Sequence, residues 1–414
     1  MQISQNWIAS KEARLIIEAI EKSGGEIRFV GGCVRDNVLE REVHDIDLAT
    51  NLLPEEVIAA LEASNITVIP TGLKHGTVTA VLNQQPFEIT TLRHDIRCDG
   101  RHAEIEFTNS WQADASRRDF TFNALYADKY GNIYDYFDGL EDLRQRKLSF
   151  IGSPEARIKE DYLRILRAFR FHANICIGKI SDEILSACSK HAEMISSLSG
   201  ERIRDEMLKL LSCSDYLVPT LVSMQKCDVL QKIIPDKVSC NVLSHKILSE
   251  VDSIVKLALL LRTTVADRKS IGEYMSSFLR LSKKQKKKLM FILKNNISTD
   301  LSEKEQKRYI CLFGLELYKD IIKICCIEAE KNVGEIQKYM LFADSCLIPD
   351  FPISGSDLQN IGYRQGKYLG ESLKMVRNYW EASSYALTKD ELLSYAKSLL
   401  SKKIEKIEYI AKKV

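Results

Sequence analysis

GGCVRDNVLEREVHDIDL, residues 31–48, is the stretch that decides the fold of the N-terminal part of this chain. It follows an apolar run, residues 27–30, that predicts a strand. Its two glycines allow a tight turn in which backbone N–H groups approach a phosphate at the start of the next helix. Asp45 and Asp47 are two residues apart, so on a strand their carboxylates share one face.

Two carboxylates side by side repel each other unless a cation lies between them. Hard cations such as Mg²⁺ prefer such oxygen ligands. A strand, a glycine turn, a helix and a second strand with paired acids therefore predict chemistry on a nucleoside triphosphate.

The composition indicates a soluble protein with more than one domain. The chain has 414 residues, 45% hydrophobic and 28% charged, with a net charge of +2, which is too small to argue for nucleic-acid binding by itself. Eleven cysteines without a CxxC pair make structural zinc improbable and favour a reducing compartment. The N-terminus does not resemble a signal peptide and no apolar run is long enough to span a membrane, so we expect a cytoplasmic location.

Strand and helix patterns alternate over residues 1–150, and helical periodicity dominates afterwards. We predict a helix from Pro54 to Leu61 and a polar, mobile loop over residues 95–105. The predicted strands are residues 27–30, 46–50, 77–82 and 87–92.

Two arginine-rich segments point to binding of phosphate or nucleic acid. The first is RRDFTFNA, residues 117–124, and the second is EDYLRILRAFRF, residues 160–171. If the second segment is one helix, Asp161 and Arg164 are neighbours at i and i+3, a spacing also found in ordinary surface ion pairs. Arg164, Arg167 and Arg170 recur every third residue between apolar ones, so we interpret this stripe as the wall of a cleft.

These segments resemble class II CCA-adding tRNA nucleotidyltransferases, in the polymerase β nucleotidyltransferase superfamily. The similar blocks occur in the family's order over roughly half of the chain, which is more specific than any single motif. They are residues 31–36, 45–47, 117–124, 138–143, 160–171 and 201–206.

The resemblance implies a role for each matched residue. Asp45 and Asp47 are expected to bind catalytic Mg²⁺, and Arg118 to contact the triphosphate. Asp161 and Arg164 are expected to recognise the base. The remaining nucleotide-binding residues are expected to be Gly32, Arg35, Arg167 and Arg170.

The residue types at the expected base site suit cytosine and adenine. Both bases present an amino donor beside a ring-nitrogen acceptor, whereas guanine and uracil present an oxygen beside an N–H donor. The Asp161 carboxylate can only accept and the Arg164 guanidinium can only donate. The pair therefore complements C and A and leaves G and U with unpaired polar groups.

The implied architecture is α+β: a nucleotidyltransferase head with a small mixed sheet and flanking helices, then an all-α neck, body and tail. We predict the head at 1–150, the neck with base recognition at 151–270, and a tRNA-binding body and tail at 271–414. The implied activity is template-independent addition of C, C and A to the tRNA 3′ end from CTP and ATP, with tRNA bound by its 3′ end and acceptor arm.

Several alternatives stay open. The enzyme could add only CC or only A, and the loop at residues 95–105 bears on that choice. A poly(A) polymerase is disfavoured because residues 49–56 lack its basic-apolar signature. A catalytically silent tRNA-binding protein would not need intact Asp45, Asp47, Asp161 and Arg164. Glu88 is either a third catalytic carboxylate or a sheet-edge residue, and the oligomeric state and the choice of Mg²⁺ over Mn²⁺ are not determined.

Overall fold

The computed structural model describes residues 7–98, 103–213, 216–347, 350–383, 385 and 387–411. The chain forms two compact units, Met1–Leu293 and Lys294–Val414. The finer division into head, neck, body and tail stays a prediction.

The strands all belong to the first unit in the described part of the chain. They are β1 Ile27–Val30, β2 Asp47–Thr50, β3 Thr67–Gly72, β4 Thr77–Leu82, β5 Gln85–Thr91, β6 Arg93–Cys98, β7 Ala103–Phe107, β8 Leu125–Ala127 and β9 Ile133–Asp135. Seven of them form one mixed sheet in the order β3-β4-β5-β2-β1-β8-β9, and β6 and β7 form a separate antiparallel ribbon.

The centre of the sheet positions the paired acids. β1 and β2 are antiparallel, whereas β2 and β5 are parallel, with Asp47 opposite Glu88. The buried residues Phe29, Leu48 and Phe87 come from these three strands. Their burial removes apolar surface from water and holds the register that brings the acids together.

Helices cover the sheet and form the rest of the first unit. They are α1 Lys11–Lys22, α2 Gly32–Val38, α3 Pro54–Ala63, α4 Trp111–Ser116, α5 Gly139–Arg144, α6 Pro154–Glu160, α7 Leu163–Ile175, α8 Asp182–Lys190, α9 Gly200–Ser212, α10 Leu217–Lys226, α11 Ser253–Leu261, α12 Arg268–Phe278 and α13 Lys283–Lys294. Side-chain caps begin several of them; for example, Ser10 accepts from the Ala13 amide at the start of α1.

The second unit is helical throughout its described residues. Its helices are α14 Glu303–Phe313, α15 Leu315–Glu328, α16 Val333–Ser345, α17 Gly355–Asn360, α18 Lys367–Ala382 and α19 Lys389–Ala411. A buried cluster that includes Leu358, Trp380 and Leu392 packs the last three helices together. No helix in the described residues of either unit is long and apolar enough to cross a lipid bilayer.

The α+β class is confirmed, and the strands predicted at 27–30 and 77–82 have the predicted bounds. Two predictions in the head were incomplete. Several short strands were missed, including β8 and β9, which span three residues each. The segment predicted as a polar loop is largely the β6–β7 ribbon, because its polar residues pair along two strands; residues 99–102 at its tip lie outside the described residues.

Gly139 at the start of α5 has a close backbone neighbour. A Cβ atom there would lie 2.4 Å from the Thr121 carbonyl oxygen. We expect Gly139→Ala to lower the free energy of unfolding by about 1–3 kcal/mol, because the backbone must move to admit the methyl group. Urea denaturation followed by circular dichroism measures this change.

Gly370 provides the matched control, since it lies inside α18 and a Cβ there meets nothing within 4 Å. Gly370→Ala should leave stability unchanged or raise it by up to about 1 kcal/mol. Equal unfolding midpoints for Gly139→Ala and the wild type would contradict the close packing of α5.

Candidate active site

Asp47 and Glu88 form the centre of an acidic cluster. The pKa of Asp47 is raised to about 6, first by burial and then by the charge of Glu88. Asp45 adds to this rise, whereas Arg118 and Arg35 oppose it. Glu88 is on β5, between β4 and β2, so its interpretation as a sheet-edge residue was wrong. The cluster holds negative charge that the nearby arginines only partly offset.

Asp45 lies just before β2, which begins at Asp47, and it is exposed. The strand predicted at 46–50 therefore begins one residue later than expected, and the two aspartates do not share one strand face, since only Asp47 belongs to β2. In the described part of the chain, no three His, Cys, Asp or Glu side chains converge as a metal site. A Mg²⁺ ion held by Asp45 and Asp47 would complete its coordination with water and substrate oxygens, which is its usual habit in nucleotide sites.

The glycine turn brings the predicted phosphate-binding residues together. Gly31 has φ +72, a conformation that glycine adopts without strain, and it leads directly into Gly32 at the start of α2. A Cβ at Gly31 would lie 3.5 Å from Nη1 of Arg118 and 3.6 Å from the Asn123 carbonyl oxygen. The turn and the Arg118 guanidinium are therefore close neighbours.

A buried carboxylate, Asp114, orients this guanidinium. Its Oδ2 accepts from Nη2 of Arg118 at 3.0 Å and from the Tyr126 hydroxyl at 2.6 Å. Its Oδ1 accepts from Nε of Arg117 at 2.9 Å. Burial by itself raises the pKa of Asp114, but the charges of Arg118 and Arg117 outweigh burial and hold it well below its ordinary value.

Sequence reasoning missed Asp114, although its spacing of three and four residues to two consecutive arginines was a usable signal. The side chain is 1% exposed, and each of its bonds fixes the direction of a donor. Asp114 thus acts through Arg117 and Arg118.

The guanidinium of Arg35 is fixed by hydrogen bonds to two neighbouring side chains. Its Nε and Nη2 donate to the two carboxylate oxygens of Asp36, and Nη1 donates to Oδ1 of Asn123 at 2.7 Å. Asn123 in turn donates to Asp119, whose other oxygen accepts from Nε of Arg167 at 2.6 Å. This series of bonds joins α2 to α7 and connects two of the predicted nucleotide-binding arginines.

The next link runs from α7 to α9. Glu206 is buried and accepts from Nε of Arg170, and it forms a second ion pair with Arg167 at 3.7 Å. The ring of Phe171 lies under the guanidinium groups of Arg170 at 4.0 Å, Arg35 at 5.1 Å and Arg167 at 5.3 Å. Three predicted site arginines therefore surround one aromatic ring.

Asp161 and Arg164 do not lie together on one helix as the sequence analysis assumed. Asp161 has extended backbone angles between α6 and α7, and its Oδ1 accepts from the Leu163 amide at 3.0 Å. Its Oδ2 pairs with Nη2 of Arg202 at 2.6 Å. An aspartate that bonds to the backbone just ahead of a helix competes with helical continuation, which explains the break.

Arg164 instead pairs with Glu160 and donates to two backbone carbonyls. Nη1 reaches Glu160 and the Arg157 carbonyl, and Nη2 reaches the Arg117 carbonyl at 3.0 Å. The last bond places Arg164 beside the segment that carries Arg118. This bond therefore connects Arg164, predicted to recognise the base, to the segment that carries Arg118, predicted to bind the triphosphate.

Two family models match the chain. The model described as the Poly A polymerase head domain matches residues 27–149. The model described as the "Probable RNA and SrmB- binding site of polymerase A" matches residues 179–238.

Named relatives resemble the chain over about half of its length or more. The human protein named "CCA tRNA nucleotidyltransferase 1, mitochondrial" is 36% identical over 400 residues, which cover 92% of this chain and 89% of the human one. A CCA-adding enzyme of Lactobacillus delbrueckii subsp. bulgaricus is 41% identical over 204 residues, or 48% of this chain and 50% of that one.

Solved structures share the fold. The Bacillus stearothermophilus CCA-adding enzyme in complex with CTP superposes with a TM-score of 0.76 at 24% identity, over 95% of this chain and 98% of that one. The Thermotoga maritima CCA-adding enzyme complexed with tRNA superposes with a TM-score of 0.63 at 18% identity, over 97% and 99%.

We expect Asp114→Asn to lower the free energy of unfolding at pH 7 by about 3 kcal/mol, because two partly buried guanidinium groups lose their buried counter-charge. The pKa of Asp114 is lower in the folded chain than in the unfolded one. Its contribution is therefore complete above the unfolded pKa, about 3.9, and is lost as the pH falls through the folded pKa. Urea denaturation at pH 7 and at lower pH values measures both effects.

Tyr126→Phe is the matched control, since it removes one donor to the same carboxylate and keeps both ion pairs. It should cost only about 1 kcal/mol. A stability difference for Asp114→Asn that does not shrink below about pH 4 would refute the electrostatic role of Asp114.

Proposed function

Because this chain belongs to the family of CCA-adding tRNA nucleotidyltransferases, we propose that it completes tRNA 3′ ends by adding C, C and A from CTP and ATP without a nucleic-acid template. The 3′-hydroxyl of the tRNA attacks the α-phosphorus, and pyrophosphate leaves. The observation that carries the proposal is the acidic cluster of Asp45, Asp47 and Glu88 next to the guanidinium of Arg118, whose charge acts on Asp47.

Arg118 and Arg35 bind the triphosphate in this proposal. Arg118 is oriented by Asp114, and its Nη1 lies beside the glycine turn. Arg35 is oriented by its hydrogen bonds to Asp36 and Asn123. Because both guanidinium groups are already oriented, little side-chain entropy is lost when phosphate oxygens arrive. Gly32 supplies close backbone approach at the same turn.

The carboxylates of Asp45 and Asp47 hold a divalent metal, which we assign as Mg²⁺. The pKa of Asp47 supports this assignment: burial is the largest cause of its rise, and the charges of Glu88 and Asp45, which a cation would neutralise, raise it further. When bound, Mg²⁺ supplies charge neutralisation at the phosphates and activates the attacking hydroxyl. Glu88, beside Asp47, strengthens the negative field that attracts the cation.

Asp161 and Arg164 read the base. In Asp161, Oδ1 accepts from the Leu163 N–H and Oδ2 accepts from Arg202. Each oxygen therefore retains a lone pair for an amino group of the base. The bonds of Arg164 to Glu160 and two carbonyls use three of the five N–H groups of a guanidinium, which leaves two for a ring nitrogen. Both residues can thus pair with C or A without losing their supports.

Arg167 and Arg170 support the base-reading residues in this proposal, and their own positions are fixed by contacts with Glu206 and Phe171. Contacts of tRNA with the second unit are part of this proposal. The side chains of the C-terminal lysines at positions 402, 403, 406, 412 and 413 lie outside the described residues. The cytoplasmic location also stays a prediction, and the human relative is named mitochondrial.

The test is a transfer assay with tRNA that lacks its 3′ CCA. With CTP and ATP together we expect three added nucleotides and then a stop. Asp47→Asn should abolish transfer, because the metal loses a charged ligand. The variant protein should still bind tRNA in a gel-shift assay. Addition of CC only or A only would identify a partial enzyme, a long A tail a poly(A) polymerase, and no addition a binding protein.

Asp161→Ala should change the choice of nucleotide more than the rate with the preferred one. Without the carboxylate acceptor, the preference for CTP over UTP should fall roughly 30- to 100-fold, as expected for one unpaired polar group in a dry site. Single-nucleotide kinetics with each triphosphate measure this ratio.

Asp205→Ala is the matched control: Asp205 is an exposed aspartate on α9 that pairs with the adjacent Arg204. It should keep the wild-type preference. Full preference retained in Asp161→Ala would rule out base reading by that carboxylate.

A further inference from the structure

A cavity of about 590 Å³ lies in the helical part of the first unit, and none of the predicted site residues is part of its lining. We call it the Lys256 cavity. It is lined by Cys213, Leu217, Val218, Pro219, Leu243, Ser244, His245, Lys246, Leu248, Ser249 and Lys256. Its volume is in the range of small-molecule sites, and its described lining contains no aspartate or glutamate.

Lys256 is the unusual member of this lining. It lies inside α11, where every residue from Ile254 to Leu261 is buried, and it is itself only 2% exposed. Its ammonium donates to the Cys213 carbonyl oxygen at 3.3 Å. This long bond is its one hydrogen bond to the residues that the structure describes. An ammonium has three donors, so two N–H groups are left there for another acceptor.

No carboxylate pairs with Lys256 among the described residues. Burial lowers the pKa of this ammonium, in line with the cost of burying a charge that lacks a counter-ion. A leucine at this position would continue the apolar pattern of α11 at no such cost. Cys213 is the C-cap residue of α9. One long hydrogen bond to its carbonyl offsets only part of the free-energy cost of burying the ammonium.

The surroundings of the cavity are also basic. Lys246 lies exposed at the rim, close to His245. The positive charges of Arg170 and Arg41 act on the Cys213 thiol together with Lys256. The nearby Asp252 caps α11 and pairs with Lys288 at 3.7 Å. An anion in the cavity would therefore meet several positive charges and, among the lining residues that the structure describes, no carboxylate.

We propose that the Lys256 cavity binds a phosphate group, with the buried ammonium of Lys256 as its counter-charge. Lysine is a common point-charge ligand of phosphate. Two sources have the required chemistry: a backbone phosphate of the bound tRNA, which rests on the proposed function, and free inorganic phosphate or pyrophosphate, which does not. Cys213 and α10 lie within residues 179–238, the segment matched by the RNA-binding model, which favours the tRNA source.

The experiment compares two variants that should lose phosphate binding in the Lys256 cavity with one that should keep it. Lys256→Met removes the charge and keeps an unbranched apolar chain suited to α11. Ser249→Glu adds a carboxylate to the lining at an exposed position, where folding is not at risk. Lys226→Met removes an exposed charge of α10 that does not line the cavity, and serves as the control.

The first arm measures the affinity for tRNA lacking CCA at several salt concentrations. If the source is tRNA, Lys256→Met and Ser249→Glu should weaken binding about tenfold at low salt. The slope of log K against log salt should fall by about 0.7–0.9, which is the loss of one phosphate contact. A purely structural role for Lys256 would leave that slope unchanged, and so should Lys226→Met.

The second arm measures the rise in thermal unfolding midpoint with added inorganic phosphate or pyrophosphate. If the source is free phosphate, this rise should be smaller in Lys256→Met and Ser249→Glu than in the wild type and Lys226→Met, with tRNA affinity unchanged. Phosphate bound at the active site stabilises all four proteins equally and cancels in the comparison.

The proposal is overturned if neither arm separates the two site variants from the wild type and the control. Its failure differs from failure of the proposed function, which the transfer assay reports independently. If the wild type does not bind tRNA, the proposed function fails, and the phosphate arm by itself decides on the cavity.

Discussion

Buried carboxylates that hold arginines are the interaction on which this site depends. Asp114 fixes Arg117 and Arg118, Asp119 fixes Arg167, and Glu206 fixes Arg170. Burying either charge by itself would cost several kcal/mol, so each partner is stable inside the protein only because the other is present. The result is a set of guanidinium groups whose directions are set before any ligand binds.

Such an arrangement suits phosphoryl transfer. The reaction requires little covalent chemistry from the protein, and most of the rate comes from positioning and from charges already in place. The oriented arginines lie near the acidic cluster, and both groups act on Asp47: the acids raise its pKa and the arginines lower it. In the proposed function, the phosphates of the nucleotide supply negative charge to the arginines and a bound cation supplies positive charge to the acids.

The same principle accounts for how α7 and the head act together. Arg35 of α2 reaches Arg167 of α7 through Asn123 and Asp119. The ring of Phe171 supports the same arginines from one side. Arg35 and Arg167, both predicted to bind the nucleotide, therefore belong to one hydrogen-bonded network that joins the head to α7.

The sequence by itself determined the α+β class, the glycine turn, the paired aspartates and the arginine-rich segments, because these depend on local spacing and on residue chemistry. It did not reveal Asp114 or Glu206 as anchors, since their importance lies in burial and in partners on other turns or helices. It also placed Asp161 on a helix, because the i to i+3 spacing of Asp161 and Arg164 does not report a backbone break between them. Only the tertiary structure decided that Glu88 lies beside Asp47 and that Asp161 pairs with Arg202, because sheet register and helix packing join residues that are distant in the chain.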